Sequence, residues 1–115
     1  MAKDSDRRDL FPGALDLMIL QSLRLRPMHG YALVKHIKQV SGDLLQVEEG
    51  SLYPALQRLL LQGWVKAEWK MTETNRRARF YKLTAAGRKQ LGVEASQFER
   101  MIAAISRVMN DAQEA

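Results

Sequence analysis

Cysteine is absent from the 115 residues. That removes disulfide scaffolds, thiolate zinc sites and cysteine nucleophiles together. Histidine is confined to His29 and His36, so an imidazole-rich metal centre lacks ligands, and neither a metal nor a cofactor is expected. No apolar run approaches the roughly 20 residues of a membrane span. Residues 1–9 (MAKDSDRRD) carry charge where a signal peptide carries its apolar core. These absences predict a soluble protein of a reducing cytoplasm. Paired catalytic groups are missing as well: Asp16, Glu48, Glu49 and Glu68 fall on different elements and Ser51 has no obvious base, so an enzyme is not expected.

What is present suits one compact domain. The apolar share is 46% and the aromatic share 7%, enough to build and anchor a core. The net charge of +5 is unevenly placed. Residues 1–65 are nearly balanced, whereas residues 66–90 carry Lys66, Lys70, Arg76, Arg77, Arg79, Lys82, Arg88 and Lys89 against Glu68 and Glu73 only. Residues 91–115 return to a negative excess. A local cationic patch of this kind suits a polyanion, although basic edge residues that deter aggregation are the plainer alternative.

Periodicity divides the chain into elements. Residues 1–10 are polar and expected to be frayed. Residues 13–26 predict a first helix with Leu15, Met18, Ile19 and Leu23 at helical spacing, stopped by Pro27. A turn at residues 27–30 leads to a second helix over about 31–40, with Leu33, Val34, Ile37 and Val40 inward and Lys35, Lys38 and Gln39 outward. A third helix over about 51–62 presents Leu52, Tyr53, Leu56, Leu59 and Leu60 on one arc and Ser51, Pro54, Ala55, Arg58 and Gln62 on the other. On these bounds Pro54 lies in the first turn, where its missing N–H costs little. The period then becomes two: Val65, Ala67, Trp69 and Met71 alternate with Lys66, Glu68 and Lys70, and the short aromatic run 79–83 reads as the returning strand after a polar loop, 72–78. Thr84 is a plausible N-cap for a last helix reaching about residue 110.

That last helix carries Leu91, Ala95, Phe98, Ile102, Ile105 and Met109 at spacings of 4, 3, 4, 3 and 4. This a/d seam pairs with a second copy or packs back on its own domain; periodicity alone leaves both open.

Three helices followed by a basic hairpin is the order of a winged helix-turn-helix: mainly α with a small β-hairpin, an α+β chain. Its third helix is expected to enter the major groove of double-stranded DNA and its hairpin to reach the neighbouring backbone. Small Ser51 and Ala55 permit close approach, and Arg58 can donate two hydrogen bonds to a guanine edge. Lys35, Lys38, Arg76, Arg77 and Arg79 are candidates for phosphate contacts. A winged-helix module whose basic wing meets an acidic protein partner is the competing function.

The run Pro27-Met28-His29-Gly30-Tyr31, then Gly50-Ser51-Leu52-Tyr53-Pro54-Ala55-Leu56 with Arg58-Leu59 and Gly63-Trp64-Val65, then Tyr81-Lys82-Leu83-Thr84 with Gly87-Arg88 and Leu91, resembles PadR-type transcriptional regulators. The wording around Glu68-Trp69, residues 75–78 and residues 83–88 is similar to the short subgroup labelled acidobacterial. The resemblance implies a homodimer, usually a repressor, whose C-terminal helix crosses that of its partner; two recognition helices related by a two-fold axis in turn imply a pseudo-palindromic operator. It implies recognition-helix contacts at Ser51, Tyr53, Pro54 and Arg58, and wing contacts at Asn75, Arg76, Arg77 and Arg79. His29, in the family's HGY turn, is expected to cap or hydrogen-bond there. Some relatives bind flat hydrophobic or aromatic effectors at the dimer centre, and the position similar to their aromatic residue is Phe98, for which plain interhelical packing is the alternative. The expected organisation is a flexible residue 1–10 segment, a winged-helix domain over 11–84 and a dimerisation helix over 85–115.

Overall fold

The structure, a computed structural model, describes residues 13–111; the 1–10 segment expected to fray lies outside the described residues. Helix α1 (Ala14–Leu25) follows Gly13, whose φ of 85° is a backbone state that suits glycine. It stops one residue short of Arg26, which is extended because the Pro27 ring disfavours helical backbone before it. Its buried Ser22 hydroxyl donates to the Met18 carbonyl at 2.7 Å, so no polar side chain is stranded inside.

The turn expected at 27–30 contains a strand instead. β1 (Met28–His29) pairs antiparallel with the returning strand of the hairpin, giving a three-stranded sheet. Two residues are too few to display a period, which is why sequence alone reads them as a turn. Helix α2 (Gly30–Val40) follows directly, and the Ala32 N–H donates to Nδ1 of His29 at 3.2 Å, as expected of a cap. Leu33 and Ile37 are buried, but Val40 is exposed and not inward as its spacing suggested.

Helix α3 (Glu49–Leu61) begins two residues earlier than expected, with no side chain capping its start. Pro54 therefore sits in the second turn and not the first, leaving the Gly50 carbonyl without its helical N–H partner. The helix ends on Gly63 at a φ of 78°, where the Trp64 N–H reaches the Leu59 carbonyl at 3.1 Å and the Gly63 N–H reaches that of Leu60 at 3.0 Å, closing its last turn.

β2 (Val65–Met71) and β3 (Arg77–Leu83) form the hairpin, with Val65 opposite Leu83 and Met71 opposite Arg77. β3 begins two residues earlier than its apolar run suggested, so Arg77 and Ala78 are strand residues and the loop is shorter. Within it Asn75 takes a φ of 67°, the left-handed position of a tight hairpin loop that asparagine tolerates, and the Thr72 N–H donates to the Arg76 carbonyl at 2.7 Å.

Helix α4 (Ala85–Met109) is capped by Thr84, whose hydroxyl oxygen accepts from the Gly87 N–H at 3.0 Å. The core gathers Ile19, Leu20 and Leu23 of α1, Leu33 of α2, Leu52, Leu56 and Leu59 of α3, and Val65, Tyr81 and Leu83 of the hairpin. Met28 and Leu91 complete it from β1 and α4. The start of helix α4 thus packs into the winged-helix core through Leu91.

Candidate nucleic-acid interface

Helix α3 offers its unburied face to solvent because its apolar stripe is narrow. Leu52, Ala55, Leu56 and Leu59 follow the i, i+3, i+4, i+7 rule and are all buried. Ala55, taken above for an outer DNA-facing position, is fully buried in the core cluster; its small side chain lets α3 approach its neighbours closely and cannot touch a base. The stripe fixes the opposite face: Gly50, Pro54, Gln57 and Leu61, all exposed, lie farthest from the core, with Leu61 at 79% exposure. Gln57 and Leu61 were missed by the reading that put Tyr53 in the inner arc and Ala55 in the outer one. The four-residue stripe is the signal that finds them.

Tyr53 and Arg58 lie on the two flanks of that face. Tyr53 is 45% exposed, yet the hydroxyl end of its ring lies directly over Gly30, where an added Cβ would come within 2.8 Å of Cζ. Its phenol is pushed above the ordinary 10.0 by burial first, then by the negative charge of Glu49 and by Tyr81. Arg58, on the other flank with half-buried Ser51, donates from Nη2 to Oδ1 of Asp16 on α1 at 2.9 Å. This pair is partly exposed, so leaving it to reach a base costs about 0–1 kcal/mol.

The register of the hairpin sorts its cations by type. Residues directly opposite share a face, so Trp69 with Arg79 and Met71 with Arg77 continue the side whose inner part, Val65, Leu83, Ala67 and Tyr81, packs on the core. There the Arg77 guanidinium lies 5.1 Å from the Trp69 ring centroid and that of Arg79 5.8 Å from Tyr81. Stacking on aromatic faces restrains these side chains and leaves their N–H groups free to donate sideways to phosphate. Arg76 is exposed at the tip. The other side carries Lys66 opposite Lys82, Glu68 opposite Phe80 and Lys70 opposite Ala78.

Lys35 and Lys38 are placed together on α2, lining a groove of about 520 Å³ with Tyr31, Val34, Asp43 and Glu48 among its walls. The groove runs between α2 and the segment leading to α3; it is not beside Phe98, where an effector was considered. Along α4 the seam divides. Leu91 is 7% exposed in the core of its own domain and is therefore not available to a partner, Ala95 is half-buried, and Phe98, Ile102, Ile105 and Met109 are exposed. Among the described residues no group of three or more His, Cys, Asp or Glu side chains is placed to hold a metal ion. No helix among the described residues is long and apolar enough to cross a membrane.

Comparisons with known proteins agree with this arrangement. The model of the transcriptional regulator PadR-like family matches residues 19–93. A transcriptional regulator from Clostridium thermocellum is 28% identical, with a TM-score of 0.78 over 86% of this chain and 96% of that one. A PadR family transcriptional regulator from Eggerthella lenta is 26% identical, with a TM-score of 0.77 over 96% of this chain and 94% of that one. An uncharacterized protein in a Streptomyces fradiae transposon is 40% identical over 85 residues, which are 74% of this chain and 23% of that much longer protein.

Proposed function

Because the chain belongs to the transcriptional regulator PadR-like family, a family of DNA-binding regulators and not of enzymes, we propose that it works as a homodimeric repressor that occludes a promoter. The observation that carries this reading is the pairing, on one rigid unit, of an α3 face left bare by a narrow core stripe with a hairpin bearing Arg76, Arg77 and Arg79.

In this reading α3 lies in the major groove, with Ser51, Pro54, Gln57 and Arg58 at base edges and Tyr53 at a phosphate. Arg58 exchanges Asp16 for a guanine edge when DNA arrives. Arg76, Arg77 and Arg79 grip the backbone, Asn75 shapes the loop that carries them, and Lys35 and Lys38 add phosphate contacts from α2. Two copies joined along Ala95, Phe98, Ile102, Ile105 and Met109 bring two α3 helices to half-sites about one helical turn, ~10 bp, apart. In the same proposal a hydrophobic or aromatic effector lodges beside Phe98 between the paired helices and releases the operator by altering the separation of the two α3 helices.

Selection of duplexes from a random-sequence pool tests the reading. A pseudo-palindrome is expected. Replacing Arg76 and Arg77 with Ala lowers affinity for all duplexes alike, whereas Arg58→Ala relaxes base preference in each half-site. Failure to enrich any duplex over random DNA at moderate salt would favour the competing module with an acidic protein partner.

A further inference from the structure

The outward side of the sheet holds a second cationic surface that the recognition helix and the wing tip do not use. Lys66 and Lys82 are directly opposite each other across β2 and β3, and both are exposed. Like charges facing one another across a strand pair repel, so this arrangement is unfavourable in the free protein unless an anion is shared between them. Among the described residues neither lysine has an ion-pair partner. The single carboxylate in these strands on that side, Glu68, is 3.7 Å from Nζ of Lys70. The Lys70 ammonium also sits 5.6 Å from the Phe80 ring centroid, and Phe80 packs edge-on against His29 at 5.1 Å. The aromatic pair therefore lies on this side of the sheet beside the Lys70 ammonium. The opposite side of the same strands holds Val65, Leu83 and Tyr81 in the core, so the platform cannot fold inward.

We propose that this lysine face binds the phosphate backbone of duplex DNA flanking the operator, so that the DNA is held on two sides of the wing. The inference rests on the DNA-binding reading above and extends it to a surface with no part in base recognition. Charge complementarity selects the occupant: the face is positive, flat and built on a rigid sheet. Lys66 and Lys70 lie four residues apart, a rise of about 13 Å, which matches roughly four nucleotides of rise along one strand. Lys66 also lies about 17 Å along β2 from the last strand residue before the loop and about 10 Å from the Trp69–Arg79 row, whose side chains point to the opposite side of the sheet.

The experiment compares the parent with the double variant Lys66→Gln, Lys82→Gln on two probes: a duplex enriched from a random-sequence library, kept with long flanks, and the same duplex trimmed to its two half-sites. With one phosphate shared by the Lys66–Lys82 pair of each copy, the dimer loses two phosphate contacts, which flattens the dependence of log affinity on log salt by about 2 and weakens binding to the long duplex roughly 10- to 100-fold at about 0.1 M salt. Binding to the trimmed duplex is unchanged. Thermal unfolding of the variant occurs no lower than that of the parent, because a repulsive pair has been removed. Equal affinity and equal salt slope on the long duplex overturn the inference and leave the operator reading intact, as does a loss of the same size on both probes. A parent that enriches no duplex overturns both.

Discussion

Two glycines of α4 predict opposite outcomes for the same substitution. Helix propensity alone makes Gly→Ala in a helix interior favourable by about 1 kcal/mol. At Gly92 a Cβ meets nothing within 4 Å, so Gly92→Ala is expected to stabilise by about 0.5–1 kcal/mol. At Gly87 the same atom would press on the Trp64 carbonyl oxygen, 2.9 Å from the carbonyl carbon and 2.8 Å from Cδ1 of Leu83. Two of those atoms are backbone and cannot swing aside. The Trp64 carbonyl also accepts from the Thr84 N–H at 3.1 Å, and the Thr84 hydroxyl donates to the Gly63 carbonyl at 2.7 Å, so any shift strains both bonds. Overpacking of this kind costs about 1–3 kcal/mol, and weakening those two hydrogen bonds adds about 1 kcal/mol each. After the propensity gain, Gly87→Ala is expected to lose about 2–4 kcal/mol, a fall of about 8–16 °C in the unfolding midpoint for a chain of this size. Calorimetry or circular dichroism on both variants at one fixed protein concentration reads the result. A Gly87→Ala variant at or above the parent's midpoint would refute the packing argument, whatever Gly92→Ala does.

Ala55→Met overfills the core and lowers stability by about 1–3 kcal/mol; a variant with the parent's denaturation curve and altered operator preference would return position 55 to the DNA surface. Replacing Ile102 and Ile105, 38% and 41% exposed, with Asp puts like charges into the proposed dimer seam, and light scattering is expected to read half the parent's mass. A parent that is itself monomeric at micromolar concentration would remove the two-fold operator with the dimer. The Tyr53 phenol has a higher pKa folded than unfolded, so the unfolded chain ionises first as pH rises past about 10. Its share of stability is present below the unfolded value and is lost as pH rises through the folded one. Tyr53→Phe is therefore expected to flatten the alkaline fall of the unfolding free energy, and identical slopes for parent and variant between about pH 9.5 and 11.5 would refute the assignment.

The elements that were legible in the sequence are those long enough to repeat their period. The four helices of the described residues and the alternation of Val65, Ala67, Trp69 and Met71 all emerge from spacing. The two-residue strand β1 does not, because Met28 and His29 are recognisable as a strand only once Tyr81 and Phe80 are beside them. Ala55 was misread for a related reason. Alanine is small enough to suit either face of a helix, whereas the bulk of Tyr53 suggests the inner arc although that side chain lies on its flank. The start of α3 was also hidden, since Glu48 offers no side-chain cap and nothing local marks residue 49. Leu91 fits a seven-residue seam as well as it fits a core stripe. Only the packing of α4 on α1 separates the two, and spacing carries no information about which surface a stripe will meet.

The junction between α3 and α4 is placed so that the proposed pairing would act on the proposed recognition helix. The last turn of α3 closes on Gly63 and Trp64, and the carbonyls of those same two residues hold the Thr84 hydroxyl and N–H that cap α4. Gly87 lets the first turn of α4 lie against that loop without a side chain between them. Leu91 then fixes the next turn in the core, beyond which the helix continues for about 27 Å to Met109 at ~1.5 Å per residue. Hydrogen bonds and close backbone contact, with no flexible linker, join the two helices, so the direction of α4 fixes that of α3. In a dimer held along the outer turns of α4, tilting the two α4 helices must move the two α3 helices relative to each other. Gly87→Ala should therefore weaken operator binding even at temperatures where the variant is folded, by shifting this junction, while Gly92→Ala should not. Unchanged operator affinity in a folded Gly87→Ala dimer would mean that the two helices turn independently.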